Sequence, residues 1–170
     1  VFSLAAETMP QRKSRPSESP IPSTGFRFET SSTSDPLAAI DGDPLTSWSS
    51  MAPQEKGQYF DVDLGGEFWV SRISLRFVYP YSEFPRELAV NGYHHSHRWE
   101  RLHFEDDEWA QARLVHRLVE DPSTATMDLV LPKPRKLERV RLFLQRTVIG
   151  DAMPVWRIPE IEIFQSLPES

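Results

Sequence analysis

Along this chain, apolar and polar positions alternate with period two, and the runs are broken at short intervals by prolines, glycines and hydroxyl-rich or acidic clusters. In residues 59–65, Phe60, Val62 and Leu64 share one face while Asp61 and Asp63 share the other, the pattern of a strand buried on one side. Ile73, Leu75 and Phe77 alternate in the same way with Arg72, Ser74 and Arg76. So do Met127, Leu129 and Leu131, and then Val140, Leu142 and Leu144 against an outward Arg139, Arg141 and Phe143. Phe26 and Phe28 around Arg27 predict a first strand, 86–90 and 99–104 two more, and 156–164 a closing one. Gly65-Gly66 and the prolines 132 and 134 are expected to end strands, and Asn91-Gly92 to open a hairpin-type turn. Ala38-Ala39 supports one helical turn, and no long helix is predicted. About eight short strands predict an all-β sandwich.

Composition narrows this picture. A chain of 170 residues suits one domain with a real core, and 15 prolines beside 7 glycines and 39% hydrophobic residues fit a loop-rich β fold. Residues 1–24, with Pro10, Pro16, Pro20 and Pro22 among serines and no apolar period, read as a linker. Residues 25–166 read as the domain and 167–170 as a tail. The start at Val1, without an initiator Met or a signal segment, suggests a processed product or an excised fragment. The formal charge of −6 with scattered Lys and Arg argues against a nucleic-acid face. With no cysteine, a disulfide framework, a thiolate metal site and a thiol nucleophile are all excluded. No run reaches the ~20 apolar residues of a membrane span.

The densest candidate chemistry lies in Asp41-Gly42-Asp43-Pro44-Leu45-Thr46-Ser47-Trp48, a tight turn with two carboxylates and a hydroxyl. Side-chain oxygens of Asp41, Asp43 and Thr46, with neighbouring carbonyls, are the hard ligands that calcium takes in sets of about six to eight. Without a metal, the same residues would form a carboxylate-capped Asp-Gly turn.

The turn is followed in order by Tyr59-Phe60-Asp61-Val62-Asp63-Leu64-Gly65, Ile73-Ser74-Leu75, Trp99, Val140-Arg141-Leu142 and Glu160-Ile161-Glu162-Ile163-Phe164. This series, over roughly residues 26–165, resembles the discoidin or coagulation factor 5/8 C-type family, which includes galactose-binding-like bacterial carbohydrate-binding modules. The resemblance implies a jelly-roll β-sandwich of about eight antiparallel strands, no catalytic activity, and a structural calcium at the turn with Glu160 completing its shell. It also implies recognition by loops at one end of the sandwich, here 31–36, 51–57, 79–83 and 146–153. Within them Tyr79 and Tyr81 would be stacking platforms for a sugar, with Glu83 and Arg146 as hydrogen-bonding partners. The His and Asn of the usual sugar set are not found on these loops, nor is the Ser-x-Asp-Gly turn that relatives carry before the Trp. Animal members tie their ends with a disulfide, so its absence favours the bacterial branch.

Other clusters carry less. His94, His95 and His97 invite zinc or copper, but three histidines on one turn read better as solvated. The acid run 105–108 supplies no carboxylate pair fixed across a cleft. There is no Gly-x-Ser-x-Gly elbow, phosphate loop or His-Glu-x-x-His. The expectation is a non-catalytic, extracytoplasmic module that binds carbohydrate and tethers a parent catalytic or membrane domain in cis. A scaffold domain packed on its parent enzyme is the alternative. Phospholipid binding ranks last, because Met51 is the only bulky apolar residue on the 49–57 loop.

Overall fold

A computed structural model describes residues 18–78, 84–94, 98–105, 125–148 and 155–167. Among these are nine strands: β1 (Ser19–Pro20), β2 (Arg27–Thr30), β3 (Trp48–Pro53), β4 (Tyr59–Phe77), β5 (Leu88–His94), β6 (Arg98–Arg101), β7 (Ala125–Leu144), β8 (Val155–Ile158) and β9 (Glu160–Gln165). Every described pairing is antiparallel. The predicted helical turn is a short 3-10 segment, Pro36–Ala39, capped by the Asp35 carboxylate on the Leu37 N–H.

The long antiparallel β4–β7 pair is the spine. Its first part, Tyr59–Asp63 against Phe143–Arg139, is flanked by β2 and, through β7, by β5 and β6. Its second part, from Val70 to Phe77, is flanked by β9 and then β1. β3 and β8 pair separately as a two-stranded ribbon. One cluster of buried side chains joins the two sheets, with Trp48, Trp156, Phe60 and Phe77 at its largest positions. Trp48 stands edge-on to both Phe60 and Trp156, with centroids 5.0 Å apart in each case. Burying each such ring contributes about 1.5–3 kcal/mol. The inward positions expected on β4 and β7 are buried, while Asp61, expected to face outward, is buried too, beneath Arg141.

The structure corrects several boundaries. Gly65-Gly66 does not end a strand; β4 continues through it with a register shift between Asp63 and Phe68. Gly65 has φ +78°, and a Cβ there would lie 2.5 Å from the Gly25 carbonyl oxygen, so the bend requires glycine. Pro132 and Pro134 likewise fall inside β7. They lie in an irregularity where Val130 pairs with Arg72 and Arg135 with Val70, so no ladder N–H is demanded of them. Asn91-Gly92 is strand rather than turn; Gly92 is buried, and a Cβ would meet Leu137 at 2.7 Å. The expected closing strand is two strands, β8 and β9, which part at Pro159 to join different sheets. The expected linker 1–24 also ends earlier than the sequence suggests. Ser19–Pro20 pairs with β9 as an edge strand that tolerates proline, Ile21 is buried, and Glu18 meets Arg72 at 3.1 Å.

Candidate functional site

Two candidate regions lie toward opposite ends of the β3–β8 ribbon, whose register runs from Trp48–Ile158 to Pro53–Val155. Beyond the first end is the acidic turn, and it is built almost entirely from short-range bonds. Asp41 Oδ1 accepts from Asp43 N–H at 2.9 Å, and Asp43 Oδ1 accepts from Leu45 N–H at 2.9 Å. The Thr46 hydroxyl bonds to Asp41 Oδ2 and lies 3.0 Å from the Asp43 carbonyl. Gly42 takes φ +76°.

One long-range partner enters this turn. β9 begins at Glu160, whose carboxyl reaches the Asp41 carboxyl and the Gly42 N–H. Its Oε1 is buried without a hydrogen-bond partner. A groove of about 480 Å³ adjoins it, lined partly by Ile21, Phe26, Ile40 and Ile163. Partial burial, followed by the Asp41 carboxyl, pushes Glu160 up to about 7. Asp41, held by the Thr46 hydroxyl and the Asp43 N–H, moves the other way, below its ordinary value. Two neighbouring carboxyls cannot both ionise freely, so in the absence of a cation and below about pH 7 Asp41 carries the charge and Glu160 the proton. The donor chemistry, with its orphaned oxygen, fits a hard cation. The structure therefore brings Asp41, Thr46 and Glu160 together, while the Asp43 carboxylate is directed to its own turn. Among the described residues, no three His, Cys, Asp or Glu side chains cluster as a metal site, so any cation here would draw on carbonyls as well.

The second region lies past Pro53, where three loops are tied by the side chain and backbone of one residue. Gln54 is 0% exposed. Its Nε2 donates to the Phe84 carbonyl at 2.9 Å, its Oε1 accepts from the Arg86 N–H at 2.8 Å, and its own carbonyl accepts from the Val148 N–H at 3.0 Å. The Lys56 N–H adds a bond to Thr147 Oγ1 at 3.1 Å. Loop 31–36 joins along β3 through Ser32 to the Ser49 carbonyl (2.6 Å) and Thr33 to Met51 Sδ (3.4 Å). Of the expected ligand residues, Arg146 is 75% exposed here and pairs with Glu87 at 3.3 Å. Tyr79, Tyr81 and Glu83 fall outside the described residues, as do His95 and His97.

Sequence reasoning missed two features of this end. Nothing around Gln54 marks it as a strut, because both side-chain partners lie some thirty residues away. Nor does the sequence reveal that Met51 (φ 59°) and Glu87 (φ 55°) adopt left-handed backbone, the only described non-glycine residues to do so. Such conformations cost roughly 1–3 kcal/mol and gather at functional sites. Met51 holds that conformation while 63% exposed.

No protein-family model and no curated protein matches the sequence. Solved structures do match in fold. The family 32 carbohydrate-binding module (CBM) of NanJ from Clostridium perfringens, in complex with galactose, superposes with TM-score 0.59 at 19% identity, covering 88% of this chain and 100% of that one. CpGH89CBM32-5 from the same organism, in complex with GalNAc-β-1,3-galactose, gives 0.56 at 15% identity, over 85% and 99%. Truncated AlyQ, with CBM32 and alginate lyase domains, gives 0.58 at 15%, over 92% of this chain and 35% of that one. The chain thus has the discoidin-like, galactose-binding-type β-sandwich fold.

Proposed function

We propose that this chain is a non-catalytic carbohydrate-binding module whose recognition surface is the loop end organised by Gln54. One observation carries the reading: the two left-handed non-glycine residues flank the Gln54 junction. Met51 lies in the irregular end of β3, three residues before Gln54, and Glu87 is next to Arg86, whose N–H donates to the Gln54 side chain. Strain held in an exposed rim has no use in packing, but it does preorganise side chains for a ligand. Arg146, fully presented and oriented by Glu87, supplies a forked donor to sugar hydroxyls. Galactose and a galactose-containing disaccharide are the ligands of the NanJ and CpGH89 modules, which makes them the first sugars to try.

The turn at Asp41, Thr46 and Glu160 is in this reading a structural calcium site, in which the ion would satisfy the buried Glu160 oxygen. The Asp41 carboxylate is taken up within its own turn by the Thr46 hydroxyl and the Asp43 N–H, not aimed across a cleft as a glycosidase acid pair is. The neighbouring modules include several attached to catalytic domains, so tethering a bacterial, extracytoplasmic parent enzyme to its glycan is the role proposed here. Tethering also makes weak single-site affinity useful. Among the described residues, no helix is long and apolar enough to cross a membrane.

A glycan array probed with the full chain tests the reading. Specific binding, lost on Arg146→Ala with an unchanged melting temperature, is the expected result. Silence across the array would overturn it and favour the scaffold role.

A further inference from the structure

The outward face of the β2–β4–β7–β5–β6 layer carries aromatic rings interleaved with arginines. Outward positions on neighbouring strands bring together Tyr59 on β4, Arg139 and Arg141 on β7, Tyr93 on β5, and Trp99 and Arg101 on β6. The half-buried Trp99 indole packs on Tyr93 with centroids 5.3 Å apart. It also spans β5 to meet two arginines of β7, with Arg141 and Arg139 guanidinium carbons 4.7 and 5.6 Å from its centroid. Arg141 also stands 5.1 Å from the Tyr59 ring, and Arg101 5.2 Å from that of Phe143. These are cation–π distances, and the indole is the best of such platforms.

The charges on this face do not balance. Asp61, 1% exposed, is claimed in bidentate fashion by Arg141 at 2.6 and 2.7 Å. Arg139 Nη2 stays 4.0 Å from Asp61 and 3.9 Å from Glu29, and its Nε is buried without a partner. Arg101 bonds only neutral acceptors among the described residues, Asn91 Oδ1 at 3.2 Å and Gln145 Oε1 at 3.3 Å. Two guanidinium groups therefore flank the aromatic floor with no carboxylate at hydrogen-bonding distance, on a protein whose net charge is −6.

We propose that this face is a second glycan site, distinct from the loop end, for a uronic-acid oligosaccharide. A pyranose stacks its C–H face on the Trp99 indole, and sugar carboxylates occupy the guanidinium forks of Arg139 and Arg101. The register places Arg101 beside Asn91 and Arg141, so its Cα is two strands and two residues from Arg139. That is about 12 Å, within the reach of consecutive sugar units. A nucleic acid, with a charge at every phosphate, fits less well, because the cations here are few and Arg139 already lies 3.9 Å from Glu29. Charge complementarity selects the sparser anion.

The test titrates the full chain with tetragalacturonate and with a neutral galactose tetrasaccharide, followed by calorimetry and tryptophan fluorescence. Saturable uronate binding is expected, weakened about tenfold by Arg139→Gln or Arg101→Gln and further in the double variant, with melting temperatures preserved. Trp99→Phe should weaken it less, since an aromatic face remains. Arg146→Ala should leave uronate affinity intact while removing neutral-sugar binding. Failure of the neutral sugar alone would sink only the loop-end reading. The second site is overturned by absent uronate binding, by affinity indifferent to Arg139→Gln, by loss of uronate binding in Arg146→Ala, or by a single-stranded oligonucleotide binding as tightly.

Discussion

The acidic turn and the loop end flank the same β3–β8 ribbon and are made of opposite materials. In the turn, Asp41, Asp43 and Thr46 bond one another or backbone within five residues, all of it exposed, and a single distant group, Glu160, arrives to complete it. At the loop end the defining bonds span about thirty to ninety residues and converge on a fully buried amide. A turn of the first kind keeps its shape even when its neighbours move, which suits a fixed ion site. A surface of the second kind exists only once the sandwich has closed. Its rigidity comes from the core, and its exposed side chains remain free to differ.

The strongest way to break this contrast is Gln54→Leu. The substitution leaves the Phe84 carbonyl and the Arg86 N–H without partners beside a buried position, so urea unfolding should show a loss of about 2–4 kcal/mol. Glycan affinity should fall with it. Asp43→Ala, which removes one exposed local bond, should cost no more than about 1 kcal/mol. Equal losses would erase the distinction between the two ends.

Calcium sharpens the other side of the comparison. At a hundredfold excess over its dissociation constant it should stabilise chelator-treated protein by about 2.7 kcal/mol, raising the melting temperature, and Glu160→Gln should abolish that response. An unchanged melt with no calorimetric heat would dispose of the ion site.

The pH dependence follows from Glu160, raised from the usual 4.5 to about 7. Between those values the folded chain holds a proton that the unfolded chain has released. Without calcium, this group's contribution to stability is therefore full below about 4.5 and is lost as pH rises through about 7. With calcium the slope reverses, because the ion needs the ionised form and its affinity drops on acidification. Glu160→Gln should flatten both profiles, and a stability curve rising from pH 5 to 7 in chelator, absent in that variant, would contradict the assignment.

Met51→Gly is the smallest effect. Relief of the left-handed conformation should add up to about 1 kcal/mol while loosening the rim and weakening sugar binding. A destabilised variant would show that φ 59° at Met51 is not strained.

Much of the fold was legible because its signals are local. The apolar positions of the alternations in 59–64, 73–77 and 139–144 are the buried ones, with Asp61 the polar exception, and the order of motifs from Asp41 to Phe164 resembled the family whose fold the structure shares. Where the sequence misled, tertiary context had overridden a local preference. Pro132 and Pro134 stay in a strand because a bulge excuses their missing N–H groups, and Asn91-Gly92 stays straight because Leu137 and Leu102 fill the space above Gly92. Of the candidate sites, the Asx bonds of the acidic turn were readable from spacing alone. The Gln54 strut, the Glu87 partner of Arg146 and the Trp99–Arg139–Arg141 floor were not. Side-chain chemistry and period two along the chain determined which residues face inward and which can chelate. Which outward residues meet one another was decided by strand register and closure of the sandwich, since those contacts join positions that no local pattern connects.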